Sequence, residues 1–161
     1  MSASVYIESS VISYLVSRPS NDPVTAGRQA ITSEWWCTKR QDYEVYISAL
    51  VIEEISAGDP EAAAQRMDAV VNVQSLDIGT ETQTLAEALL VAKAVPANSP
   101  RDALHIAIAA TQGADFLLTW NFKHINNAET RALISKVVAE HGWVCPVLCS
   151  PEELGGTTDA E

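Results

Sequence analysis

The chain has 161 residues, 47% of them hydrophobic, and carries 21 acids against 10 bases for a net charge of −11. That length suits one domain with a real core and the composition excludes a disordered chain; no apolar run is long enough for a membrane span and MSASVYIE has no signal-peptide character, so the expected compartment is the cytoplasm. The acidity counts against a nucleic-acid partner, because such binding rests on Lys and Arg neutralising phosphates, and fits better with a metal site, a basic protein partner or simple solubility.

VYI (5–7) is a short β-rich apolar run that reads as a buried strand, and SVISYLVS (10–17) follows as a helix ended by Arg18-Pro19. Pro23 opens a longer helix, expected from Val24 to Arg40, with apolar positions at Ala26, Ala30, Ile31 and Trp35. YEVYIS (43–48) is a second strand, and LVIEEI (50–55) begins a short helix that stops near Gly58. Asp59-Pro60 is a cap and first-turn proline opening a helix to Val71. VQSLDI (73–78) is the third strand, and Thr80 and Glu81 start a helix to Ala94. Ser99-Pro100 starts another that runs to Gln112 and stops at Gly113. ADFLLTW (114–120) is the fourth strand, Asn126 to His141 a helix, and Trp143 to Leu148 a weaker fifth strand. The domain is expected to span 1–154, with GGTTDAE (155–161) as a disordered tail.

Strands alternating with helices imply an α/β domain: a mostly parallel central sheet with helices on both faces. In such sheets sites form beyond the carboxyl ends of the strands. Glu8, the segment Ser48 to Glu54, and Thr119 to Asn121 all fall there. The cysteines Cys37, Cys145 and Cys149 lack the spacing of a zinc site and read as reduced structural thiols.

Each polar residue at these ends has a structural reading beside a functional one. Glu8 suits the start of the following helix, where the dipole favours an acid, yet Ser9 is available for capping and a carboxylate at the end of a buried strand is costly. Glu53 and Glu54 sit about 100° apart on one short helix, so at most one enters a site. Ser99, Pro100 and Asp102 approximate N-cap, N1 and N3 of a capping box, and His105, one turn on, reads first as a packed core histidine. Asn121 is either a turn residue or a polar ligand at a strand end. Arg18, Lys123 and His124 are candidate phosphate contacts on nearby loops. Nucleotide-binding glycine loops and a G-x-S-x-G elbow are absent, which excludes the enzyme classes built on them.

Taken in order, "VYIESSVISYL", "YISALVIEEI", "RDALHIAIAATQGADFLLTWNFKHI" and "VLCSPEEL" resemble the PIN-domain family, most closely its VapC-type toxins of toxin–antitoxin pairs. The resemblance implies a three-layer α/β/α sandwich and a metal-dependent ribonuclease that hydrolyses RNA to leave a 5′-phosphate. It also implies a cognate antitoxin and a homodimer. The family's four metal-site positions fall on Glu8, Glu54, Asp102 and Asn121, and its small polar residue on Ser10. Glu8 stands where the family usually has Asp, and Asn121 where it often has Asp. Clustered carboxylates repel one another, and carboxylate, amide and water ligands suit Mg²⁺ or Mn²⁺. The alternative is a catalytically weak PIN-like module that binds RNA or protein. A receiver-like signalling domain fits poorly, since Asp77-Ile78-Gly79 follows the third strand without the expected acceptor pattern. Trp35, Trp36 and Tyr14 serve either a dimer face or the helix core.

Overall fold

Five short strands and seven α-helices alternate along residues 2–155, the part of the chain that the computed structural model describes. The strands are β1 (Ser4–Ile7), β2 (Glu44–Ser48), β3 (Gln74–Leu76), β4 (Phe116–Leu118) and β5 (Val147–Cys149). The helices are α1 (Ser9–Val16), α2 (Pro23–Glu34), α3 (Ala49–Ile55), α4 (Pro60–Ala69), α5 (Thr80–Val91), α6 (Pro100–Thr111) and α7 (Arg131–Glu140).

All strand pairs are parallel, in the order β3-β2-β1-β4-β5. β1 is central: Val5 lies opposite Val45 on one side and Phe116 on the other, and Ile7 opposite Leu118. Val5, Tyr6 and Ile7 are fully buried, the continuous apolar run expected of a strand covered on both faces. Helices α1 to α4 pack among themselves, and α5 packs on both α6 and α7. Right-handed crossovers put these two sets on opposite faces, giving the three-layer α/β/α sandwich. Alanines at 103, 107, 109 and 110 keep α6 slim and its run from His105 to Ala110 buried, so it packs closely against α5, which buries Leu85, Ala86 and Leu89.

The chain leaves β1 towards β2 but reaches β4 on the other flank of β1. The ends of β1 and β4 therefore flank the point where strand order reverses, the usual crevice of an open α/β sheet. The backbone N–H of Glu8 still pairs with the carbonyl of Leu118, at 3.0 Å, so the two chain segments that leave the sheet here start from a fixed separation.

Several boundaries differ from the expectations. The long second helix is α-helical only to Glu34; it widens into a π-helical turn over Trp35–Lys39 and tightens over Arg40–Asp42. The widening falls where two adjacent tryptophans both enter the core: Trp35 and Trp36 are buried, so neither offers a dimer face. Tyr14 packs against the ring of Trp120. The last helix begins at Arg131 instead of Asn126, because Asn127 spends its amide on a turn, donating to the carbonyls of Phe122 and Lys123 and accepting from the N–H of Glu129. β4 stops at Leu118, which frees Thr119 to Asn121 as a loop, and β5 forms later than expected, at Val147. Of the tail expected to be disordered, 156–161 lie outside the described residues. All three cysteines are free thiols, and burial pushes Cys145 up to about 11 and Cys149 up to about 12. Among the described residues no helix is long and apolar enough to cross a membrane.

Candidate active site

Glu8 directly follows β1 and is buried, with a relative exposure of 6%. A buried carboxylate is costly unless hydrogen bonds replace its water. Glu8 has three: Oε2 accepts the backbone N–H of Ser10 at 3.0 Å, and Oε1 accepts the hydroxyls of Ser10 at 2.5 Å and Thr119 at 2.6 Å. The first of these makes Glu8 the N-cap of α1. The cap and the site are thus the same side chain. Ser9, expected to cap, is the first helical residue and donates instead to Oε1 of Glu54 at 2.5 Å. Among the described acids Ser10 serves only Glu8, and its oxygen also accepts the N–H of Trp120 at 2.9 Å.

Glu54 comes from α3, which Ser48 caps at the end of β2 by accepting the N–H of Val51. The helical rotation turns Glu54 inward and leaves Glu53 exposed, paired with Arg101 at 2.8 Å. Buried His105 of α6 lies 2.6 Å from Oε1 of Glu54 through Nε2 and 2.7 Å from the Tyr6 hydroxyl through Nδ1; that hydroxyl lies 2.8 Å from Ser48 Oγ. Burial pushes the Tyr6 phenol up, so it keeps its proton. Burial also pushes the Glu54 carboxyl up, but the bond from His105, its charge, and the bond from Ser9 outweigh this and hold Glu54 below the ordinary carboxylate range. With Glu54 an acceptor, Nε2 of His105 carries a proton, and the Tyr6 hydroxyl and Ser48 Oγ continue the same line of short contacts inward.

Ligand atoms of Glu8, Glu54 and His105 all lie within 4.8 Å of one another. Asp102 and Asn121 stand beside this group, linked to it through hydrogen bonds. The Asn121 N–H donates to Thr119 Oγ1 at 2.9 Å, and its amide Nδ2 donates to Oδ1 of Asp102 at 3.2 Å. The Asn121 carbonyl oxygen accepts the N–H groups of Lys123 and His124 at 3.2 and 2.9 Å. Asp102 Oδ2 accepts from Nδ1 of His124 at 2.8 Å. The capping box expected at 99–102 does not form; the Ser99 hydroxyl lies 3.2 Å from the same His124 nitrogen. A cleft of about 430 Å³ opens between Glu54 and Asp102, bounded by Asn98, Ser99, Pro100 and Arg101. Arg101 reaches to 4.0 Å from Oε2 of Glu54.

Of the phosphate candidates, Lys123 is exposed beside the site and His124 is tied to Asp102. Arg18 is exposed at the far end of α1, where it lines a different cleft with Asp59, Glu61 and Arg66.

Two carboxylates this close repel unless a cation lies between them or one is protonated. Both carboxylates keep lone pairs to spare. Oε2 of Glu54 takes no hydrogen bond among the described residues, and Oε2 of Glu8 takes one. Oxygens with such spare capacity fit a hard divalent cation. The Asn121 carbonyl, already held by two N–H groups, fits such an ion less well.

Sequence reading left His105 to the core and did not single out Tyr6, Ser48 or Thr119 for roles at the site. A signal for His105 was present, since it lies three residues after Asp102 and so shares its helix face. For Tyr6 and Thr119 only the tertiary structure supplies one.

A family model described as PIN domain matches residues 5–129. No curated protein matches the chain.

Proposed function

The chain belongs to the PIN-domain family, generally a nuclease fold, and from that premise we propose that it is an Mg²⁺- or Mn²⁺-dependent endoribonuclease. It acts as the toxin of a toxin–antitoxin pair, in the cytoplasm, as a homodimer held inactive by its antitoxin. The observation that carries the nuclease reading is the convergence of Glu8 and Glu54 at the strand-order reversal, with ligand atoms within 4.8 Å and carboxylate oxygens left unclaimed.

Glu8 and Glu54 would hold the ion, with Asp102, which lines the same cleft as Glu54, as a further ligand and Asn121 as a weaker one. The bound ion supplies Lewis-acid polarisation of a phosphodiester and a water of lowered pKa. The chain's own residues set the geometry. Ser10 and Thr119 fix the rotamer of Glu8, so its free lone pairs point away from the two hydroxyls. His105 and Ser9 hold Oε1 of Glu54 and keep it ionised, leaving Oε2 for the site. Arg101 at the rim offsets part of the acidic charge that an incoming phosphate meets. Hydrolysis would leave a 5′-phosphate.

The deciding experiment is cleavage of a structured RNA panel in Mg²⁺ by the wild type, Glu54→Gln and Asp102→Asn. Loss of cleavage in both variants supports the reading; equal activity in all three ends it. A small reading frame of antitoxin type immediately upstream in the genome would support the toxin role.

One observation favours the second reading, a catalytically weak RNA- or protein-binding module. Asp102 is already bonded on both oxygens, by Asn121 and His124. Calorimetric titration with Mn²⁺ separates the two. A saturable site favours the enzyme, and no heat of binding at millimolar metal favours the module.

A further inference from the structure

The loop after β4 presents an aromatic ring to solvent beside the acidic cleft. Phe122 is 36% exposed, directly after Asn121. An exposed phenylalanine on a mobile loop needs no explanation, but this loop is held from several sides. Asn121 accepts the N–H groups of Lys123 and His124, Asn127 donates to the carbonyls of Phe122 and Lys123, and Phe122's own N–H bonds to the carbonyl of Trp120 at 3.0 Å. Trp120, beneath, is anchored by its indole N–H to Thr32 at 2.8 Å and by its backbone to Ser10. Its ring meets Phe122 edge-on, with centroids 6.0 Å apart.

A cation completes the patch. The Arg28 guanidinium lies 5.4 Å from the Trp120 ring centroid and 5.2 Å from that of Phe122. Among the described residues neither Arg28 nor Lys123 forms a salt bridge with a carboxylate. In a chain of net charge −11, the Arg28 guanidinium over the ring, which also acts on Asp22, and the exposed Lys123 next to Phe122 in the chain make a local exception to the acidic surface. The same backbone that carries Phe122 carries Thr119, which bonds Glu8, and Asn121, which bonds Asp102. The patch therefore holds a fixed position relative to the cleft.

We infer that Phe122, Arg28 and Lys123 form a nucleotide subsite that stacks an unpaired base and holds its phosphate. The ring then serves an unpaired nucleotide, since a base inside a duplex has no free face for it. The inference rests on the nuclease reading for its direction, because it assumes that the cleft beside the patch receives a phosphodiester. The arrangement also answers the charge objection, because stacking supplies affinity that does not depend on net charge.

The test is fluorescence anisotropy of a labelled ten-nucleotide RNA strand and of the same strand in a duplex, with chelator present to prevent cleavage. Wild type, Phe122→Leu and Arg28→Gln are compared, each checked for an unchanged melting curve. The wild type should bind the single strand more tightly than the duplex. Phe122→Leu, which keeps apolar bulk but removes the π face, should weaken single-strand binding about 5- to 150-fold, the range for one stacked base. Arg28→Gln should weaken it too and flatten its salt dependence. Equal affinity in wild type and Phe122→Leu, equal affinity for strand and duplex, or no RNA binding at all would overturn the subsite and leave the patch to a protein partner. Cleavage lost in Glu54→Gln while Phe122→Leu binds normally would sink only the subsite. RNA binding that depends on Phe122, with no cleavage in Mg²⁺ by the wild type, would sink only the nuclease reading.

Discussion

The Thr119 hydroxyl donates to Oε1 of Glu8 at 2.6 Å, joining the first residue beyond β1 to the first residue beyond β4. Both are buried, and the same threonine oxygen accepts the N–H of Asn121. One hydroxyl thus orients a carboxylate and sets the path of the loop that carries Asn121, Phe122 and His124. Thr119→Val keeps the shape and removes both bonds. It should cost about 1–3 kcal/mol, the usual penalty for leaving buried polar partners unsatisfied. Urea unfolding in chelator checks this, and Mn²⁺ calorimetry should show weaker binding as Glu8 loses its fixed rotamer.

The glutamate at position 8 stands where the family usually has aspartate, and the geometry here suits the longer side chain. Its extra methylene lets the carboxylate fold back onto the N–H of Ser10 while reaching Thr119. Glu8→Asp should therefore weaken the site. The expected loss is about 1–2 kcal/mol of stability, from strained or broken hydrogen bonds, with lower Mn²⁺ affinity by calorimetry. A gain in affinity would mean that the glutamate is a compromise.

Acid stability should report on Glu54. Its folded carboxyl lies below its ordinary value of 4.5. The stabilisation is complete above that value and is lost as pH falls through the lower folded one, because the unfolded chain takes up the proton first. In metal-free protein, urea unfolding between pH 7 and 3.5 should lose stability on the acid side, and Glu54→Gln should remove part of that slope. His105→Phe strips Glu54 and Tyr6 of their shared partner. It should destabilise by about 2–4 kcal/mol at neutral pH and move the acid limb to higher pH.

A change in α2 should act in the opposite direction. Gly27 lies inside the helix at an exposed position, and a Cβ there meets nothing within 4 Å. Gly27→Ala should raise stability by about 0.5–1 kcal/mol through helix propensity. Thermal melting would show it, and RNA cleavage would be compared alongside because Arg28 is adjacent.

The element order, the parallel sheet and the layer arrangement were legible in the sequence because they follow from periodicity. A three-residue apolar run such as VYI has one way to be buried on both faces, and Pro60, Pro100 and Gly113 mark helix ends by backbone chemistry alone. That Glu8, Glu54, Asp102 and Asn121 stand at strand ends and helix starts was legible too, since those are local features; their choice as a metal-binding set came from the resemblance alone. The π-helical turn at Trp35 and the late start of α7 were not. They depend on where two tryptophans find room and on which carbonyls Asn127 can reach.

What the sequence determined by itself is therefore the α/β architecture and the set of acids at the ends of its strands. Only the tertiary structure decided how those acids are partnered. It made Glu8 the cap as well as the site carboxylate, drew Ser9 away to Glu54, and tied Asp102 to His124. It also turned His105 from a core residue into the link between Glu54 and the buried Tyr6–Ser48 pair. The physical reason is range. Helix and strand patterns are set by neighbours a few residues apart, whereas the hydrogen bonds that orient these carboxylates join residues 45, 51 and 111 positions apart. Only the packed sheet brings such partners within reach.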